Sequence, residues 1–398
     1  MSLKRVKTKM FHQSNLDKKE KRKMINKHMM MLMCLLVMAA VGLGACGSPK
    51  NEVKDHESSS LKAQLKKNEQ SITLAAIGDI LIHDRVYLDM KKGQGYDFKP
   101  LLTQVKPYLQ KADITFANQE TMIGGAEMGL SSYPAFNSPY EVGDALKDAG
   151  VDIVSIANNH TLDRGEKAIY NAIGHWKEID MPYVGAYEND HDRKQLRVLQ
   201  TDAGISVAFL AYTYGTNGVP IPDDKEFLVN LIDKQVMGQD IAAAKKKADA
   251  VVLSLHFGTE YERMPNDMQK DLVQFTAKQG VDIVLGHHPH VLQPVAWVDG
   301  KDGHRTLAIY SLGNFLSGQD GIHKQTGGIF SCRITKKYKN GGSDVKIAKP
   351  AFIPTYVNYG EWIPTPLKGL REKDLPRDHY KKINKHMSRW VPELGKTF

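Results

Sequence analysis

The chain predicts an α/β domain, and three observations carry that prediction. Seven short β-rich runs are spaced along it: "ITLAAIG" (72–78), "DITFANQ" (113–119), "VDIVSIA" (151–157), "ISVAFLAY" (205–212), "DAVVLSLHF" (249–257), "VDIVLG" (281–286) and "TLAIYSLGN" (306–314). Between several of them lie helix-period segments. In "YEVGDALKDAG", Val142, Ala145, Leu146 and Ala149 recur on one face; in "MQKDLVQFTAKQG", Met268, Leu272, Phe275 and Gln279 do so less strictly. Both segments stop at a glycine, Gly150 and Gly280, as helix C-caps do. Alternating strands and helices imply core strands buried on both faces.

The ends bound the domain. Of the formal charge of +9 over 398 residues, the first 28 residues hold +8: ten Lys/Arg against Asp17 and Glu20. The remainder is about neutral, so no basic stripe supports a nucleic-acid partner. "MMMLMCLLVMAAVGLGA", Met29–Ala45, follows without a charge and leads into "CGS". A basic segment, an apolar segment and small residues describe an export signal. "LGAC" resembles a bacterial lipobox, with Cys46 as the lipidated residue; an uncleaved signal anchor is the alternative. Either places the rest at the extracytoplasmic face of the plasma membrane. We divide the chain into a signal segment (1–45), a polar tether (46–70), the α/β domain (71–355) and a C-terminal extension with a surface helix (356–398). Cys332 is alone in the domain and has no disulfide partner.

Candidate ligands stand where the predicted strands end. "AIGDILIH" supplies Asp79 and His83, "FANQE" supplies Asn118 and Glu120, and "ANNH" supplies Asn158, Asn159 and His160. "SLHFG" adds His256, and "GHHPH" adds His287, His288 and His290. Each alone has a structural explanation, since Asp and Asn are ordinary turn residues. Open α/β sheets, however, gather ligands outside the carboxyl ends of their strands. Carboxylate, amide and imidazole without thiolate suit a divalent Mn, Fe or Zn ion, one or two in number. An internal echo strengthens the pattern: "GVDIVSIANNH" (150–160) and "GVDIVLGHHPH" (280–290) share their opening five residues and both end in His.

In this order, G-D, N-x-E, N-N-H, H-x-G and G-H-x-P-H, with "ANNHTLDRG", "GHHPHVLQP" and "YSLGNF", the chain resembles the CapA/PgsA family of capsule-biosynthesis proteins. That family is a branch of the calcineurin-like metallophosphoesterases, and the resemblance covers roughly residues 71–335. It implies a layered β-sandwich flanked by helices. It implies Asp79, Glu120, Asn159, His256, His288 and His290 as metal ligands, with His83 as a substitute ligand. It assigns His160 to protonating a leaving group, with Asp163 and Arg164 orienting it, binding an anion or, as loop residues, capping the helix that follows. Asn118, Asn158 and Glu260 are candidates for substrate binding. Two departures stand out: Leu81 occupies the histidine position of the D-x-H pattern, and "NQE" replaces the segment that supplies a bridging Asp, which leaves the number of metals open.

Three functions fit. The first is a membrane-anchored component that synthesises, exports or anchors an anionic capsule polymer, by resemblance poly-γ-glutamate, beside membrane subunits of a polymer synthase. The second is an independent extracellular metal-dependent phosphoesterase. The third is a non-catalytic scaffold. The tail "REKDLPRDHYKKINKHMSRW" reads as a solvated basic helix rather than a polymer clamp.

Overall fold

The computed structural model describes residues 69–339, 342–370, 375 and 378–397. The expectations for the signal segment, Cys46 and all but the end of the tether lie outside the described residues. Among the described residues, no helix is long and apolar enough to cross a membrane.

The strands in chain order are β1 (Glu69–Leu81), β2 (Lys91–Lys92), β3 (Gly95–Tyr96), β4 (Ile114–Gln119), β5 (Ile153–Ser155), β6 (Tyr183–Val184), β7 (Arg197–Gln200) and β8 (Ser206–Thr213). There follow β9 (Ala250–His256), β10 (Ile283–His287), β11 (Leu292–Asp299), β12 (Arg305–Leu312), β13 (Asn314–Ser317), β14 (Thr326–Lys339), β15 (Gly342–Val357) and β16 (Pro364–Pro366). One sheet has the order β16-β15-β14-β1-β4-β5-β6, with β13 also beside β1; the other has the order β11-β12-β10-β9-β8-β7. In the first, β1, β4, β5 and β6 run parallel, and in the second β8, β9, β10 and β12 do. All seven predicted runs are strands. The antiparallel members β7, β11, β14, β15 and β16 were not anticipated.

Period-two alternation explains how the second sheet is buried on both sides. Val207, Phe209 and Ala211 of β8, with Ala250 and Val252 of β9, share a core with Ile72, Leu74 and Ala76 of β1. Their neighbours Ala208, Leu210, Tyr212, Val251 and Leu253 pack with Met237 and Ile241 of helix Lys234–Lys245, and with Leu272 and Val273 of helix Asp267–Gln279. Helices Glu141–Ala149 and Gly165–Glu178 add Ala145, Leu146, Ile169 and Trp176 to the core of the first sheet. The result is the layered sheet-on-sheet α/β architecture that the sequence predicts. β15 runs through position 355 to Val357, and the following segment returns to the same core: Trp362, Ile383, Met387 and Val391 are buried in it. The tail helix is His379–Met387, with one face buried and its lysines exposed.

The repeated "GVDIV" has a physical basis. Gly150 (φ 95°) and Gly280 (φ 84°) are left-handed C-caps, and the next residues fold back, with Val151 N donating to Leu146 O (3.0 Å) and Val281 N to Thr276 O (3.2 Å). The aspartate then ties its strand to the neighbour. Asp152 Oδ2 accepts from Thr115 N (2.7 Å) and Asp282 Oδ2 from Val251 N (2.8 Å). Asp113 and Asp249 repeat the device on Thr73 N (2.7 Å) and Ser206 N (2.9 Å). Each aspartate completes a backbone donor at the start of a parallel strand and so helps set its register.

Burial pushes the Asp282 carboxyl up from 3.8 to about 6. The folded state therefore holds this proton more tightly than the unfolded chain, so its contribution to stability falls as pH rises between 3.8 and about 6. Asp282→Asn keeps an acceptor and cannot ionise. Urea titrations of both proteins are expected to show the difference in unfolding free energy moving in favour of the variant across that window, by at most about 3 kcal/mol. A pH-independent difference would contradict this account.

Candidate metal centre

The carboxyl ends of β1, β4, β5, β9 and β10 bring their polar residues to one place. Close backbone approach makes this possible. At Gly78, just before Asp79, a Cβ would lie 1.9 Å from Gly313 O, and at Gly286, before His287, 2.0 Å from Tyr310 O. Asp79 N donates to Gly313 O (2.9 Å), and Glu120 N donates to Ile80 O (3.1 Å), which places Glu120 beside the end of β1.

Three overlapping groups of ligand atoms result, each with all atoms within 4.8 Å of one another: Asp79, Glu120 and His290; Glu120, His256 and His288; and Glu260, His288 and His290. Glu120 belongs to two of them, as a bridging carboxylate would. Both its oxygens are buried and lack a hydrogen-bond partner, as do His256 Nδ1, His288 Nδ1 and Asn118 Oδ1. Orphaned buried acceptors are costly in a folded protein. Here they converge with imidazoles, and this set fits a divalent cation.

The electrostatics agree. Burial, then the negative charges of Asp79, Glu260 and Asp163, push Glu120 well above the usual carboxylate range. At Asp79 burial acts in the same sense, but it is outweighed by hydrogen bonds and charge from His287 and His290, which hold its carboxyl well below that range. Burial and neighbouring His288 push His256 far down, and burial and His290 push His288 down to about 3. The two imidazoles are thus neutral, the form that binds a metal.

Second contacts orient these groups. Asn118 Nδ2 donates to Asp79 Oδ1 (2.9 Å), and His290 Nδ1 lies 3.1 Å from Asp79 Oδ2. Asn159 Oδ1 accepts from His256 Nε2 (2.7 Å). His288 (φ 97°) and His290 (φ 58°) sit in left-handed backbone, which costs about 1–3 kcal/mol per residue. Tyr261 N, donating to Pro289 O (2.8 Å), and Phe257 N, donating to His287 O (3.1 Å), hold the turn in that conformation.

Beside the ligand groups, His160 Nδ1 lies 2.7 Å from Asp163 Oδ2, which also accepts from Phe136 N (2.8 Å). The His160 ring meets Phe136 edge-on at 4.8 Å. This fixes the ring and leaves Nε2 as the nitrogen that can carry a proton to a bound group.

Other candidates are placed differently. His83 belongs to none of the ligand groups. Its Nδ1 lies 3.0 Å from Leu81 O and 3.2 Å from Gly318 N, and burial pushes it down to about 4. Arg164 reaches away from the centre, to Met128 O (3.0 Å), Gly129 O (3.0 Å) and Ser131 Oγ (2.5 Å), and so ties down the 128–131 loop. Asn158 is spent on backbone, its Nδ2 on Gln119 O (3.1 Å) and its Oδ1 on His160 N (2.8 Å). Glu260 is exposed at the rim.

Sequence reasoning passed over Asn217. Its Oδ1 accepts from Asn159 Nδ2 (3.0 Å), and its Nδ2 packs 3.3 Å from His160 Nδ1, whose proton is given to Asp163, so Asn217 lies between the ligand groups and the proton carrier. The signal was the turn "GTNG" after β8, where Asn adopts φ 52°. Asn314, inside "YSLGNF", was also unassigned; it pairs in register with Asp79, and its Oδ1 is buried without a partner.

Comparison with known proteins identifies relatives of the chain. The chain is 27% identical over 404 residues to the PGA biosynthesis protein CapA of Bacillus subtilis (strain 168), covering 97% of this chain and 95% of that protein. It is 32% identical over 266 residues to the capsule biosynthesis protein CapA of Bacillus anthracis, covering 64% of this chain and 61% of that one. An uncharacterised protein, y4uA of Sinorhizobium fredii (strain NBRC 101917 / NGR234), is 22% identical over 315 residues, 61% of this chain and 66% of its own length. Residues 73–319, which contain every ligand group described above, match the family described as bacterial capsule synthesis protein PGA_cap, and the chain belongs to that family.

Proposed function

We propose that this protein is a membrane-anchored component that handles an anionic capsule polymer, poly-γ-glutamate, during its synthesis, export or anchoring, and does so through a divalent-metal centre. Two relatives named for PGA or capsule biosynthesis support the polymer class. The apolar segment before Cys46 supports attachment to the extracytoplasmic face of the plasma membrane, beside the polymer synthase's membrane subunits. The observation that carries the metal reading is Glu120, fully buried with neither oxygen hydrogen-bonded, between two groups of imidazole and carboxylate ligands.

Asp79, Glu120 and His290 would hold one ion, and Glu120, His256 and His288, helped by Asn159, a second, with Mn, Fe or Zn suited to these donors. Such ions, when bound, supply neutralisation of an anionic oxygen and activation of water. The remaining work belongs to the chain. Asn118 aims Asp79, Asp163 fixes the tautomer and direction of His160, and Asn217 accepts from Asn159. His160 Nε2 is then positioned to give a proton to a departing oxygen or nitrogen. This oriented pair favours hydrolysis or transfer over passive binding, and an extracellular phosphoesterase is the second reading it supports.

Two outcomes are expected. Asn118→Ala should weaken metal binding about 10–100-fold, as loss of an orienting contact does, read by metal titration of the purified chain; unchanged affinity would remove Asn118 from the centre. His160→Ala should keep its metal yet lower any hydrolytic rate by about 10²–10⁴, with loss of surface polymer in cells. A folded, metal-loaded variant with unaltered rate and normal polymer would defeat the catalytic reading.

A further inference from the structure

We propose that the cleft between helix His379–Met387 and the 258–266 loop is a groove for an extended polycarboxylate chain, which it guides along the rim of the metal centre. This deepens the reading of the protein as one that handles an anionic polymer, and rests on it.

The cleft is about 810 Å³ and is lined by Arg263, Lys382, Lys385, His386 and Arg389, with no acidic side chain among its lining. Among the described residues, none of the four Lys and Arg side chains has an ion pair, although neighbouring Lys381 and Lys270 are paired with Asp378 (3.4 Å) and Asp267 (3.1 Å). Arg263 is half-buried and still without a partner. Like charges held together without counter-charge repel one another, and a bound polyanion relieves that repulsion. Their combined field is felt nearby: His379 is pushed down to about 4 by burial and then by His323, Arg263 and Lys382.

The groove and the centre share a wall. His386 Nε2 lies 2.9 Å from Leu292 O, two residues beyond His290. On the other side Tyr261 N holds Pro289 O (2.8 Å), its ring lies 6.2 Å from that of His290, and Lys324 Nζ stands 5.0 Å above it. Arg263, Lys382, Lys385 and Arg389 therefore face one cleft, whose His386 is bonded to the strand that follows His290. Lys382 and Lys385, three residues apart, share one helix face. No Phe, Tyr or Trp lines the cleft, which disfavours stacked bases. Its concavity suits a chain rather than a flat bilayer, and the nearby Trp390 ring is engaged edge-on with Tyr310 at 6.0 Å.

The test uses the detergent-purified full chain, with long poly-γ-glutamate, monomeric glutamate and phosphatidylglycerol vesicles as probes. The quadruple variant Arg263→Gln, Lys382→Gln, Lys385→Gln, Arg389→Gln is expected to lose polymer affinity roughly tenfold or more, with metal content and thermal midpoint unchanged. The double variant Lys382→Glu, Lys385→Glu changes only exposed positions and should show the same direction of loss. Monomeric glutamate should bind weakly to all forms. Wild-type polymer affinity in both variants, or a loss confined to the vesicles, would overturn the proposal. The two readings fail separately. Normal surface polymer from Glu120 and His160 variants would sink the metal-centre function and leave the groove standing, whereas undiminished polymer binding by the groove variants does the reverse.

Discussion

The centre depends on one constraint: two carboxylates, Asp79 and Glu120, are wholly buried within reach of the same imidazole, His290. Like charges this close, away from water, cannot both ionise without compensation. Asp79 has its compensation in Asn118, His287 and His290; Glu120 has none from hydrogen bonds. A cation between the ligand groups removes the conflict, and the neutral state of His256 and His288 makes them available to bind one. The glycines at 78 and 286 and the left-handed histidines at 288 and 290 are the backbone conditions for bringing these groups together.

The fold serves this constraint directly. Parallel strands of both sheets end on the same side, so five separate chain segments deliver one or more ligands without long loops. The aspartate at the opposite end of each of four such strands ties neighbouring starts together, so the strand ends are set from both directions. Helix His379–Met387, far away in sequence, completes the core, and its His386 Nε2 lies 2.9 Å from Leu292 O, two residues beyond His290.

Much of this was legible in the sequence, for identifiable reasons. Strands buried on both faces are continuous apolar runs, and helices ending in Gly150 and Gly280 announce their caps. The echo "GVDIV" marked two equivalent units because the cap, fold-back valine and tying aspartate need those residue types in that order. The antiparallel strands escaped because β14 and β15 mix basic and apolar residues, and length alone does not separate them from a surface hairpin. At the site, residue type identified Asp79, Glu120 and His256 as ligand candidates but did not show where each side chain points. Arg164 was expected near His160 and instead ties down a loop. His83 stands outside the ligand groups, and Asn217 was hidden in a turn whose contacts exist only after folding.

The most direct measurement of the central claim is infrared difference spectroscopy on the full chain stripped of metal by chelation and then reloaded with Mn²⁺, comparing wild type with Glu120→Gln. The account predicts that the stripped protein shows the band of a protonated buried carboxyl at neutral pH, that Mn²⁺ abolishes it, and that Glu120→Gln lacks it from the start. A Glu120 carboxyl whose spectrum ignores the metal would contradict it.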